Sequence, residues 1–182
     1  MDKYDDRSLV ILCLGGNPQA FEKLIDRYQR AIFNVVYRMC NSYDDAEDIT
    51  QSVFVKVYNK LNMYDDKYKF YSWIYRIAVN ETINYMAQRV RTSSLSDTVV
   101  SGELLPDQVC YQNERSETIQ KALMDLELNY RILIILKHFN NFSYQDMSTI
   151  LGIPEKTIKS RLYSARQLLR QILISKDIKN IE

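Results

Sequence analysis

The sequence predicts an all-α fold, two small helical domains joined by a flexible linker. Apolar residues recur at three- and four-residue spacing through most of the chain, the repeat of helices that each bury one face. No segment alternates apolar and polar residues long enough to build a sheet. Residues 92–112 (TSSLSDTVVSGELLPDQVCYQ) turn abruptly to Ser, Thr, Asp, Gly and Pro without periodicity, the composition of a linker. In a chain of 182 residues this leaves domains at 1–91 and 113–182, each near the lower size limit for a self-sufficient core.

The elements follow in order. From Ala20 to Met39 a stripe of Phe21, Leu24, Ile25, Tyr28, Ile32, Val35, Val36 and Met39 marks a helix with one buried face, preceded by a turn at Gly15-Gly16-Asn17-Pro18. A second helix is expected from Asp44 to Leu61, with Ala46, Ile49, Val53, Val57 and Leu61 inward. Asp44, Asp45, Glu47 and Asp48 open it, where the helix dipole favours acids. After a polar, aromatic loop at 62–69, a third helix runs from Phe70 to Arg91. Beyond the linker the pattern predicts four short helices, at Glu114–Leu126, Asn129–Phe139, Ser143–Leu151 and Pro154–Leu173.

Composition excludes several classes. With 46% hydrophobic and 26% charged residues the chain is that of a globular protein. No apolar run reaches the roughly 18 residues of a membrane span, and the acidic start Met1-Asp2-Lys3-Tyr4-Asp5-Asp6 is unlike a signal peptide. No membrane insertion and a cytoplasmic location are therefore expected. Cys13, Cys40 and Cys110 are odd in number and widely spaced, and read as buried or incidental thiols. His138 is the only histidine, which removes most histidine-based catalysis and multi-histidine metal sites. With four glycines and no phosphate-binding loop, neither an enzyme nor a cofactor or metal is expected.

The formal charge of +1 hides a local asymmetry: Lys156, Lys159, Arg161, Arg166 and Arg170 fall in one stretch without an acid, whereas residues 92–112 carry three acids and no base. The basic stretch follows Ser143 and Asp146, spaced for a capping box, and Gly152-Ile153-Pro154, spaced for a left-handed stop and a new helix start. In that new helix Ile158, Leu162, Ala165 and Leu169 form the inward stripe. Lys156, Lys159, Ser160, Tyr163 and Ser164 are left on the opposite or flanking faces. A short helix, a glycine turn and a basic amphipathic helix make a helix-turn-helix, which fits a major groove and neutralises phosphates.

A second nucleic-acid signal lies between Asp65 and Arg91. Trp73, Arg76, Asn80, Asn84 and Arg91 recur at helical spacing, and Tyr64, Tyr68, Phe70 and Tyr71 crowd the preceding loop. Such groups can stack on, read and hold unpaired bases, and Trp73 and several tyrosines serve equally well to pack a three-helix core. The acids at 44–48 are open to two readings as well, a solvated helix start or, with Asp45, Asp48, Gln51, Ser52 and Val55 beside one another, a polar rim for a protein partner.

Four segments in order, GGNPQAFEKLIDRYQ, DAEDITQSVFVKVYNKL, FYSWIYRIAVN and FSYQDMSTILGIPEKTIKSRLYSARQLL, resemble bacterial RNA polymerase sigma factors of the extracytoplasmic function (ECF) type over nearly the whole chain. The resemblance implies sigma domain 2 at 1–91, a flexible acidic linker at 92–112 and sigma domain 4 at 113–182. It further implies core RNA polymerase and promoter DNA as partners, an anti-sigma factor as a regulator, and no catalytic activity. By the family pattern Asp45, Asp48, Gln51, Ser52 and Val55 dock on the clamp helices of the polymerase's largest subunit. Tyr64, Tyr68, Trp73, Arg76, Asn80 and Asn84 then melt and read the minus 10 element. Lys156, Thr157, Lys159, Ser160, Arg161, Tyr163, Ser164 and Arg166 read the minus 35 element. The chain departs from the pattern at Glu127, where a proline is usual, at Ser164, where many members carry arginine, and at Ser52, where an acid is usual. An autonomous helix-turn-helix regulator, with residues 1–91 as a sensing or dimerising domain, is the alternative; an adaptor that binds polymerase without reading DNA is disfavoured by the basic helix.

Overall fold

The computed structural model describes residues 4–93 and 114–176. From residue 94 on, the expected linker lies outside the described residues, as does Cys110. Two helical bundles are present, one before residue 94 and one after residue 113, and among the described residues there is no strand.

The first helix, α1 (Asp6–Leu14), lies where no helix was expected. Asp5 caps it by accepting the Ser8 amide at 2.8 Å, and only Leu9 and Val10 are fully buried. Nine residues are too few for a periodic stripe to declare itself; contact with α2 (Pro18–Cys40) stabilises α1 instead. The Asp6 carboxylate accepts hydrogen bonds from Arg27 and from the Tyr28 hydroxyl, both on α2.

α2 starts as its sequence demands, with Asn17 accepting the Ala20 amide and Pro18 in the first turn. It ends on Asn41, held in the left-handed region at φ 56°, a conformation that asparagine tolerates better than most residues. Leu24, Ile32, Val35, Val36 and Met39 are buried, whereas Phe21, Ile25 and Tyr28 of the expected stripe are only partly so. α3 (Tyr43–Lys60) is capped by Ser42 and buries every residue of its expected stripe within the helix, together with Thr50 and Phe54. Leu61, also buried, opens a 3-10 turn (Leu61–Met63). α4 (Phe70–Ser93) runs two residues past its expected end and crosses both α2 and α3.

In the second bundle α5 (Glu114–Met124) stops two residues early, and α6 (Leu128–Ile134) passes into a π-helical turn (Ile135–Phe139). α7 (Tyr144–Leu151) is followed by α8 (Glu155–Ser175), which starts one residue later and ends two residues later than the expected Pro154–Leu173. Ile158, Leu162 and Ala165 of α8 are buried, and Leu169 is partly so.

The two bundles pack against each other. α4 meets α7, and the end of α2 meets α5, α6 and the π-helical turn, so the buried apolar side chains form one continuous cluster. The Arg131 guanidinium of α6 is buried at this seam. It donates to the carbonyls of Leu123, Met124 and Leu126 at the end of α5 and to the Met39 carbonyl of α2, at 2.5–3.0 Å. These are carbonyls of the kind a helix end leaves without partners. Arg38 of α2 lies over the Phe139 ring, 3.8 Å from its centroid. Among the described residues no helix is long and apolar enough to cross a membrane.

Candidate nucleic-acid interface

The expected helix-turn-helix is built as its sequence reads. Ser143 accepts the Asp146 amide at 3.0 Å and Asp146 accepts the Ser143 amide at 3.2 Å, a complete capping box on α7. Gly152 closes α7 at φ 67°, where a side chain would be strained. Ile153 packs onto the core between the helices, and Pro154 caps α8 with extended backbone. The face of α8 opposite its buried stripe is then exposed: Lys156, Lys159, Ser160, Arg161, Tyr163, Ser164 and Arg166 lie open, with Thr157 half-buried. Tyr163 is 66% exposed, a large ring left in water with no core to explain it.

Two neighbours that the sequence did not single out shape this face. Tyr144, at the start of α7, lies under both Lys137 and Lys159, whose ammonium groups stand 5.0 and 5.3 Å from its ring centroid. The ring holds two cations beside the exposed face of α8. Arg166 donates through Nε to His138 Nε2 at 3.1 Å. Burial, then the charges of Arg166 and Lys137, hold His138 below its usual pKa, so a neutral imidazole is available to accept. Arg166 is therefore braced against the π-helical turn, while Lys156 and Arg161 extend from α8 alone.

The second face sits on α4 and the loop before it. Arg76, Asn80 and Asn84 are exposed along one side of the helix. Trp73 packs on Tyr64 and Phe70 with centroids 5.4 and 5.7 Å apart, yet stays half-buried, so part of the ring is free. The Tyr64 hydroxyl donates to the Tyr68 carbonyl, which folds the loop back on itself and leaves the Tyr68 ring 57% exposed. An aromatic platform followed by a cation and two amides can stack on bases and hydrogen-bond their edges.

On α3 the five candidate partner-binding residues divide. Asp48 and Gln51 are exposed, as is 60% of Val55. Asp45 instead accepts from the Tyr85 hydroxyl at 2.7 Å and pairs with Arg89, and Ser52 donates to Glu81, which also holds Lys56. These two residues tie α3 to α4 and do not stand free in a rim. The hydrogen bond to Asp45, then burial, pushes the Tyr85 phenol up to about 12.

The helix-turn-helix also touches the first bundle. The Tyr71 hydroxyl donates to Asp146 Oδ1 at 2.7 Å, and Lys69 Nζ lies 3.5 Å from the same oxygen. Burial works against the charge on Asp146, but hydrogen bonds from Ser143 and Tyr71, with Lys69 nearby, outweigh it and hold the carboxyl below its ordinary value of 3.8. A depressed carboxylate contributes stability that is present above the unfolded pKa and is lost as pH falls through the folded one. Thermal unfolding should therefore show a loss of stability below pH 3.8 that Asp146→Asn diminishes. Equal acid dependence in the two proteins would remove Asp146 from this role.

Residues 24–92 match the family model described as Sigma-70 region 2, and residues 116–169 match that described as Sigma-70, region 4. The chain is 33% identical over 170 residues to the ECF RNA polymerase sigma factor SigW of Bacillus subtilis (strain 168), covering 87% of this chain and 91% of that one. It is 28% identical to the RNA polymerase sigma-H factor of Pseudomonas aeruginosa, covering 95% and 96% of the two chains. Among solved structures, the sigma factor RpoE of Bartonella quintana, in complex with the anti-sigma factor NepR, superposes with a TM-score of 0.73. That match has 28% identity and covers 87% of this chain and 98% of that one. With likeness of this degree along nearly the whole chain, the protein belongs to the ECF RNA polymerase sigma factors, which act in promoter-directed initiation of transcription.

Proposed function

We propose that the chain binds core RNA polymerase and reads a two-part promoter, with one nucleic-acid face on each bundle. The observation that carries this reading is the presence of two chemically different faces on one chain. The basic, hydroxyl-rich face of α8 suits phosphates and base edges in a duplex major groove. The Trp73, Arg76, Asn80 and Asn84 face suits unpaired bases. The first is assigned to the minus 35 element, through Lys156, Thr157, Lys159, Ser160, Arg161, Tyr163, Ser164 and Arg166. The second is assigned to the melted minus 10 element, with Tyr64 and Tyr68 beside it. Domain limits of 1–91 and 113–182 accompany the assignment, with residues 92–112 joining the two.

The polymerase surface is formed by Asp48, Gln51 and Val55, while Asp45 and Ser52 hold that surface in register through α4. Clamp helices of the largest subunit are the proposed partner, and the chemistry of RNA synthesis belongs to the polymerase. An anti-sigma factor is a further proposed partner, because the Bartonella quintana relative was solved with one. The location proposed is the cytoplasm.

Run-off transcription with purified core polymerase on a promoter library tests this reading. Adding the full chain should yield transcripts with defined starts, and Trp73→Ala should weaken them, because the ring that would stack on unpaired bases is lost. Failure to direct any initiation overturns it.

A further inference from the structure

We propose that His138 is a positioning residue for Arg166: its neutral imidazole fixes the guanidinium on the exposed face of α8, and protonation of the ring lets it go, so that reading of the upstream element weakens in mild acid. The inference rests on the assignment of that face to DNA given above.

Arg166 prolongs the exposed row of Lys159 and Tyr163 along α8. The cations at the two ends of this row are each held by a group outside α8. The Lys159 ammonium stands 5.3 Å from the Tyr144 ring centroid, and Arg166 Nε donates to His138 Nε2 at 3.1 Å. The π-helical turn carries Lys137 and His138 in succession: Lys137 lies over Tyr144 and donates to the Phe142 carbonyl at 3.0 Å, while His138 reaches α8. Such turns are frequent at functional sites.

Holding Arg166 through Nε has a specific consequence. The bond uses none of the donors on the two terminal Nη groups, and these form the end of the fork with which arginine grips a phosphate or a guanine edge. An arginine side chain otherwise samples many rotamers, and that freedom is lost on binding DNA. The bond to His138 removes part of it beforehand.

The bond depends on one proton. An imidazole nitrogen accepts only while it keeps its lone pair, so the neutral ring carries its proton on Nδ1. Protonated at both nitrogens, the ring is a cation that turns a donor toward a second cation, and the contact becomes repulsive. The charged groups around it are cations as well. Lys137 is its chain neighbour, Arg166 faces it from α8, and α2 presents Arg38 to the adjoining Phe139 ring, 3.8 Å from its centroid. Arg131, the charged group of α6, is turned to carbonyls. Burial, then Arg166 and Lys137, favour the neutral ring, so the bond is intact at neutral pH and is lost as pH falls below 6.5.

Because His138 is the only histidine of the chain, both the proton and its effect can be followed. Proton NMR of the untagged full chain, read at the imidazole C–H, should give a titration midpoint below 6.5 that rises in Arg166→Ala, where the neighbouring charge is gone. An unchanged midpoint in Arg166→Ala overturns the pairing. The second measurement uses the holoenzyme with core polymerase. A fluorescein-labelled duplex carrying the upstream element selected from the run-off library is compared with one in which that element is scrambled, from about pH 8 to about pH 5. The ratio of the two affinities cancels the attraction that a protonated ring adds toward any DNA. In wild type this ratio should fall roughly fivefold on the acid side, the size of one hydrogen bond. His138→Gln, whose amide oxygen accepts and does not titrate, should give a flat profile, and His138→Ala a low ratio at every pH. In the Arg166→Ala background, His138→Ala should change nothing further. Coincident profiles for wild type and His138→Gln, or an additional loss from His138→Ala once Arg166 is gone, overturn the positioning role. Absence of any preference in wild type at about pH 8 would count against the assigned face, while the imidazole titration still judges the pairing.

Discussion

Arg131→Ala is expected to lower the unfolding free energy by about 3–5 kcal/mol, more than the roughly 1–3 kcal/mol for one buried acceptor left unsatisfied, because several carbonyls lose their donor together. Arg131 is 6% exposed, and its guanidinium serves four carbonyls, of Leu123, Met124, Leu126 and Met39. Its side chain therefore acts as the C-terminal cap of α5 and as a tie to the end of α2, where the negative end of a helix dipole favours a cation. Alanine leaves a cavity and four carbonyls without that donor. Arg131→Lys keeps the charge and loses the planar fork, so it should recover only part of the stability. Urea unfolding followed by circular dichroism measures both variants. A loss below about 1 kcal/mol in the alanine variant, the size of one ordinary hydrogen bond, would show that the carbonyls find other partners.

The triple substitution Lys156→Ala, Lys159→Ala and Arg161→Ala is expected to leave stability nearly unchanged and to cripple use of the upstream element. All three side chains are exposed and none belongs to the buried stripe of α8, and surface changes of this kind usually fall within about 0.5 kcal/mol. With each cation contributing about 1 kcal/mol to DNA contact, binding of the upstream element by the holoenzyme falls on the order of 100-fold. The salt dependence reports the mechanism independently. Each lost phosphate contact reduces the slope of log affinity against log salt by about 0.9, so the triple variant should lose between two and three units. A weakened complex with an unchanged slope would mean that these side chains do not meet phosphates. Lys159 carries a further expectation, because Tyr144 lies beneath it. Tyr144→Ala should weaken binding although the tyrosine itself need not touch DNA.

The two results bear on different levels of the molecule. Arg131 bears on whether the second bundle holds its shape and rests on the first; the α8 cations bear on the proposed contact of that bundle with DNA. The seam connects them, since Asp146 completes the capping box of α7, the helix before α8, and also accepts from Tyr71 across the boundary.

Helical period, caps and turns are local properties, and where they decided the outcome the chain could be read directly. The stripes of α3 and α8, the Ser143–Asp146 box and the left-handed Gly152 appear as the spacing of those residues requires. So does the exposed basic face of α8, because burying Ile158, Leu162 and Ala165 turns Lys156 and Lys159 outward. α1 escaped notice because a nine-residue helix with two fully buried residues draws its stability from α2. The role of Arg131 was equally hidden: a single arginine in an apolar run has no periodicity, and while three of its acceptors lie just before it in the chain, the fourth, Met39, belongs to the other bundle. Spacing put Asp45 and Asp48 in one polar group, yet only contact with Tyr85 and Arg89 distinguishes the braced residue from the exposed one. Sequence by itself thus determined seven of the eight α-helices among the described residues and the chemistry of the two proposed faces, through interactions that reach only a few residues along the chain. Tertiary structure alone decided which polar groups face one another across bundles, and so set Phe142 between two tyrosines and Arg76 against the recognition turn, because those contacts join residues tens of positions apart.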